Sequence, residues 1–372
     1  MFFNTIREIL IRLDFLIVLL TIELSLIFIR QWYVEKKERS ENLVSLSYGI
    51  YYNLIGIGFA LYSLRRYYLN DNPLWRFFEI QSDYSYFLLI LTILIMSCGS
   101  LLFSVTLEFK YRKFLKTKFI FSLFLAFLLC IILFLQNTPY FFPSLNSFAF
   151  FSALFPYLFI YYLIINSLGK IRRKLILGAI SLIIAIIGLA GISDQGIKVL
   201  KNISPYFEPY LIIFQLLTVF GLILLIYSFL GFNLLLEAQW KGNIISLFII
   251  DKERGNPLYT KKFLLDDQVS KDTSQFLALG LKGIIGQINE LSETKKDLHI
   301  IDKENVKIIL HYGEKIISAF LIKKALMNIH YFLSQVTLKF EENFLPVYDL
   351  WLKEVNIFKP MDKIIEELIP SI

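Results

Sequence analysis

The sequence predicts two joined folds. The first is an N-terminal all-α polytopic membrane bundle of seven transmembrane helices, and the second is a C-terminal α+β domain with a five-stranded antiparallel sheet in the order ββαβββα. Three observations predict this. Apolar residues make up 56% of the 372 and mean hydropathy is +0.60, above the roughly 45–50% of soluble domains. Charge divides unevenly: residues 1–236 carry 20 Lys/Arg against 12 Asp/Glu, while residues 237–372 carry 18 against 19. The pattern changes at one place, where YLIIFQLLTVFGLILLIYSFLGFNLLL passes through EAQWKGN into NIISLFIIDKERGNPLYTKKF. The bundle is therefore assigned to 1–236, a short joint to 237–242 and the domain to 243–372.

A membrane span needs about 20 mostly apolar residues. Stretches at 12–30, 43–64, 84–107, 119–136, 148–168, 175–192 and 210–236 meet or approach that length. Flanking Lys and Arg set orientation. With the N-terminus outside, the inner connections hold 13 of them and the outer segments 7. The chain is thus expected to be an integral membrane protein with a cytoplasmic C-terminal domain. Its basic excess lies beside the spans, which fits contact with anionic membrane lipid and points away from nucleic acid. The first apolar run lacks a small-residue cleavage site and reads as an uncleaved span. Cys98 and Cys130 fall inside apolar runs and read as small core residues, with no disulfide or metal framework.

Two intramembrane residues invite a functional reading. Glu23 lies mid-span in the first segment, where an acid is costly and is expected to face the bundle and have a partner. It reads either as a ligand or proton site or as a protonated carboxyl hydrogen-bonded between helices. Asn53 is similar, with the polar tips of Tyr48, Tyr51 and Tyr52 nearby in sequence. Gly49, Gly56 and Gly58 in the same span read as positions of close helix packing. Transport is disfavoured because no pair of broken helices recurs in two related halves.

In the soluble half, IISLFIID and LYTKKF read as two strands around the turn DKERGNP. SKDTSQFLALGLKGIIGQINELSE reads as an amphipathic helix, with Gly280, Gly283 and Gly286 marking close approach to a packed surface. DLHIIDKENVKIILHYGEKIISAFLIKK gives three strands, the last two joined at Tyr312-Gly313-Glu314-Lys315. A helix follows with Ile329, Phe332, Leu333, Val336 and Phe340 on one stripe, and a short helix starts after Pro360. His299 and His311 supply no third ligand and read as surface or packing residues.

The element order, with NIISLFIIDKERGNPLYTKKF at its start and ENVKIILHYGEKIISAFLIKK in its middle, resembles the longin domain and its roadblock-like relatives over about 243–369. The resemblance implies a non-enzymatic platform that binds small GTPases, trafficking proteins or peptides and often pairs with a second copy. It implies a partner held between a first helix, here about Thr273–Leu291, and a middle strand, here about Leu298–Asp302. The bundle is similar to seven-span sensor modules in layout alone.

No nucleophile–base pairing, phosphate loop, dinucleotide turn or metal-ligand cluster is evident, so no catalytic, cofactor or metal residue is assigned and an enzyme is not expected. The leading expectation is a membrane receptor or anchor whose cytoplasmic platform binds a small GTPase or another trafficking or signalling partner. The alternative is a transporter or lipid-handling protein with a regulatory cytoplasmic domain, for which Glu23 is the main support; a purely structural subunit is the third reading. The joint Glu237–Asn243 reaches at most about 25 Å, which keeps the platform near the membrane. Trp240 and Lys241 are expected to be its interfacial anchor.

Overall fold

The computed structural model describes residues 2–37, 43–69, 82–111, 119–135, 138, 140–203, 207–231, 233–263, 300–303, 306–348 and 355–369. The chain forms two compact units, Met1–Leu163 with Arg173–Asn233, and Ile164–Arg172 with Leu234–Ile372. Both boundaries differ from the expected ones. The joint belongs wholly to the second unit, and so does a segment from the middle of the bundle sequence.

The first unit is helical. Its elements are α1 (Phe2–Lys37), α2 (Leu43–Leu64) with a π-helical turn at Arg65–Leu69, α3 (Ser82–Lys110), α4 (Ile120–Phe134), α5 (Phe141–Asn166), α6 (Gly169–Ile192), α7 (Asp194–Ile203) and α8 (Glu208–Phe229). Among the described residues, five segments are long and apolar enough to cross a membrane: Leu43–Tyr67, Phe87–Lys110, Ser147–Asn166, Gly169–Ile192 and Pro209–Phe229. Of the other two expected spans, 119–136 corresponds to the shorter apolar α4, and 12–30 lies within the 36-residue α1.

Small residues set the helix spacing, as expected of α2. A β-carbon on Gly49 would lie 2.8 Å from Ile29 Cγ1 and 3.1 Å from the Ser25 carbonyl oxygen, and one on Gly56 would lie 2.7 Å from Thr21 Oγ1. Those two glycines therefore admit α1, while Gly58 admits Met96 of α3, whose Cγ would lie 2.5 Å from a β-carbon there. Gly221 does the same between α8 and α6, where a β-carbon would meet the Ala185 backbone nitrogen at 2.7 Å. The centre is aromatic. Tyr48 packs on Phe28, Phe103 and Phe159 with ring centroids 4.4–5.1 Å apart, and its hydroxyl pairs with that of Tyr52 at 2.9 Å. That pairing gives each of two buried hydroxyls a hydrogen-bond partner.

The second unit is built on one sheet. β1 (Ile244–Asp251), β2 (Pro257–Lys262), β3 (Ile300–Lys303), β4 (Val306–Tyr312) and β5 (Ile316–Ile322) lie in the order β2-β1-β5-β4-β3, every pair antiparallel. The β4–β5 hairpin turns where the glycine predicts it, and Gly313 N–H donates to the Ile316 carbonyl at 2.9 Å. The helix expected between the second and third strands lies outside the described residues, as do Gly280, Gly283, Gly286 and His299.

α9 (Leu234–Ala238) and a 3₁₀ turn (Trp240–Asn243) lead into β1, and α10 (Met327–Tyr348) and α11 (Met361–Leu368) follow the sheet. The stripe predicted on α10 is the buried one: Ile329, Phe332, Leu333, Val336 and Phe340 are each no more than 1% exposed. They pack on Leu247, Ile249, Ile309 and Phe320 of the sheet. Phe248, Ile250, Leu310 and Ala319 form a second cluster, so β1 and β5 are buried on both faces. Such double burial explains why IISLFIID reads as a continuous apolar run and not as an alternation.

A polar tether holds α11 to β2. The Tyr259 hydroxyl donates to Asp362 Oδ1 at 2.6 Å, and Lys261 Nζ lies 3.1 Å from the same oxygen. The Tyr259 hydrogen bond, then Lys261, hold the Asp362 carboxyl below its ordinary value of 3.8. A depressed acid stabilises the fold above its unfolded pKa, and that contribution is lost as pH falls through the folded value. Asp362 is half exposed, so the contribution is no more than about 1 kcal/mol. Unfolding of wild type and Tyr259→Phe is therefore expected to differ by that amount at pH 7 and to converge below pH 3.8.

Candidate functional site

Buried charge in the helical unit gathers where α2 ends. The chain there passes from α-helix into a π-helical turn, a widened geometry common at functional sites. Arg66 sits in that turn and is 6% exposed. Its Nη2 donates to the Tyr62 hydroxyl at 2.9 Å and to the Ile192 carbonyl at the end of α6, and its Nη1 lies 3.9 Å from Asp14 Oδ2 of α1. Asp14 is 1% exposed and accepts from Ser63 Oγ at 3.0 Å and from Gln215 Nε2 of α8 at 2.5 Å. Gln215 Nε2 also donates to the Leu10 carbonyl at 3.1 Å.

The network continues into α7. Asp194, its first residue, accepts from the Tyr62 hydroxyl at 2.7 Å and from Arg65 Nη1 at 3.0 Å. Burial pushes the Asp194 carboxyl up, but Arg65 and the Tyr62 hydroxyl outweigh it and hold the group below its ordinary value. Arg65 and Arg66 thus face Asp14 and Asp194 in a charge-balanced set. One cluster ties together α1, α2, α7, α8 and the end of α6, and what it does chemically is fix those five elements at one place.

A second buried acid works differently. Glu108, on the last turn of α3 and 1% exposed, accepts the backbone N–H of Phe121 at 3.2 Å and of Ser122 at 3.0 Å, together with the Ser122 hydroxyl. A carboxylate on the free N–H groups of a helix start satisfies donors that have no partner within the helix and opposes the positive end of its dipole. Glu108 therefore caps α4 from another helix. Glu35 is also fully buried and accepts from Ser45 Oγ at 3.0 Å.

The residues expected from the sequence to form an intramembrane site lie elsewhere. Glu23 is exposed on α1 and does not face the bundle, contrary to the expectation, and Asn53 on α2 is half-buried. Neither makes a hydrogen bond or ion pair among the described residues. The reason is local: the buried face of α1 is taken by Ile17, Leu20, Thr21, Leu24, Ser25 and Phe28, and Glu23 falls between those positions on the helical turn.

The joint also departs from expectation. Trp240 is fully buried in the core of the second unit, with its ring 4.9 Å from that of Phe332. Its indole N–H donates to the Asn166 carbonyl at 2.9 Å. Lys241 is half-buried, and burial pushes its ammonium down. Glu237 accepts the N–H of Met327 at 2.8 Å and of Asn328 at 3.0 Å, so it caps α10 as Glu108 caps α4. Burial raises the Glu237 carboxyl above its ordinary value, and those two N–H groups pull it partly back.

The partner-holding helix implied by the longin resemblance, Thr273–Leu291, lies outside the described residues, and of Leu298–Asp302 the described part begins β3 at the edge of the sheet. No group of three or more His, Cys, Asp or Glu able to hold a metal ion occurs among the described residues. Compared with known proteins, the chain matches no family model, no curated protein and no solved structure.

Proposed function

We propose that this chain is a membrane receptor or anchor whose second unit is a longin-like platform in the cytoplasm, holding a small GTPase or another trafficking or signalling partner. One observation carries the reading. The α5–α6 connection and the joint after α8 share a compact unit with the sheet, and both are segments that the Lys/Arg bias assigns to the inner side. A five-stranded antiparallel sheet with α10 laid across one face supports the platform part of the proposal. The transport alternative rested on Glu23, and its exposed position on α1 leaves that reading without a specific support.

The test uses the full chain in lipid nanodiscs as bait for a panel of purified small GTPases, each loaded with GDP or with a non-hydrolysable GTP analogue. Retention of at least one of them in one nucleotide state and not the other is expected. Equal background retention across the whole panel in both states would remove GTPase recruitment from the proposal.

A further inference from the structure

The last turn of α5, the two residues Ser167 and Leu168, and the first turn of α6 all belong to the second unit. Several contacts hold this connection. The Trp240 indole donates to the Asn166 carbonyl at 2.9 Å, and the Leu168 N–H donates to Asn328 Oδ1 at 2.9 Å. The Leu168 side chain packs against the core cluster that contains Trp240 and Phe332. Gly169 has φ +51°, and a β-carbon on it would lie 2.6 Å from Tyr331 Cδ2. Only glycine meets both demands without strain.

The receiving side is itself fixed. Asn328 Nδ2 donates to the Glu237 carbonyl at 2.8 Å, and the Asn328 N–H donates to the Glu237 carboxylate at 3.0 Å. Glu237, Trp240 and Asn328 therefore secure the start of the unit and the α5–α6 connection with one set of side chains. Two residues between two long helices leave no slack. A displacement of the ends of α5 and α6 relative to Trp240 and Asn328 strains both hydrogen bonds and the Leu168 contact together.

We propose that the α5–α6 connection is a strap with two discrete states, docked and released, through which the α5–α6 turn and the sheet unit control one another. Because such coupling is reciprocal, loosening the strap exposes the α10 start, and loosening the Trp240–Asn328 seat releases the strap. The inference is independent of which partner the unit takes, and a failed GTPase retention leaves its test untouched.

The test uses the full chain in nanodiscs with the two exposed cysteines, Cys98 and Cys130, replaced by serine. Ser167 is 1% exposed and its hydroxyl has no hydrogen-bond partner among the described residues, so Ser167→Cys is a mild reporter, with the exposed position Lys170→Cys as reference. Maleimide is expected to label position 167 at least about tenfold more slowly than position 170, and Trp240→Phe, which keeps a ring in the core and loses the N–H, is expected to raise the 167 rate about tenfold. In the reverse direction, Gly169→Ala should speed hydrogen exchange at the Met327 and Asn328 amides while the β1 and β5 amides stay protected. Equal labelling of 167 and 170 in the parent overturns the strap. So does an unchanged 167 rate in Trp240→Phe with β1 and β5 still protected. Should Trp240→Phe unprotect the sheet, Gly169→Ala decides alone: unchanged exchange at Met327 and Asn328 then overturns the proposal.

Discussion

Arg66→Met is expected to destabilise the helical unit by about 3–5 kcal/mol, the penalty for breaking a buried ion pair from one side. The loss should appear as a much lower thermal midpoint of the full chain in detergent. Asp14 is 1% exposed and would keep its hydrogen bonds from Ser63 and Gln215, but its charge would be left without the guanidinium 3.9 Å away. Methionine fills much of the arginine stem's volume, which separates the charge effect from a cavity effect. The double variant Asp14→Asn/Arg66→Met removes both charges together. It is expected to be more stable than Arg66→Met alone, since replacing a whole buried pair costs far less than orphaning one member. A double variant no better than the single one would mean that Arg66 acts through the Tyr62 hydroxyl and the Ile192 carbonyl and not through Asp14.

Neither member of that pair was legible as such in the sequence. Arg66 reads as a flanking charge at the end of a span, and Asp14 lies close enough to the start of the first apolar stretch to pass as a boundary residue. Their pairing depends on which helices become neighbours, and no local spacing encodes that. One signal was available. An acid already inside an apolar run is expensive wherever it falls, and that argument applies to Asp14 as well as to Glu23. What separates them is helical phase: Asp14 shares the buried face of α1 with Leu10, Ile17, Thr21 and Leu24, and Glu23 does not.

Periodicity served better where one face alone decides burial. The α10 stripe, the β4–β5 turn at Gly313 and the close-packing glycines of α2 are all set by contacts that repeat along one element. The α5–α6 connection was invisible for the opposite reason. Asn166 and Leu168 offer main-chain groups to Trp240 and Asn328, and main-chain recognition leaves no mark in residue type. Only Gly169, with its positive φ against the Tyr331 ring, carries a sequence trace of the docking.

Trp240→Ala is expected to destabilise the second unit by about 3–5 kcal/mol, the range for truncating a large buried aromatic. The side chain is fully buried among Leu236, Ile244, Phe332 and their neighbours, so its removal leaves a cavity that the surrounding strands and α10 cannot close. Trp240→Phe should lose only about 1 kcal/mol, for the indole hydrogen bond to the Asn166 carbonyl. Hydrogen exchange of the β1 and β5 amides in the full chain measures both. A tryptophan that merely marked the membrane interface would behave differently. Its alanine variant would leave those amides protected, whereas a core tryptophan seated between the entry of the unit and α10 must release them.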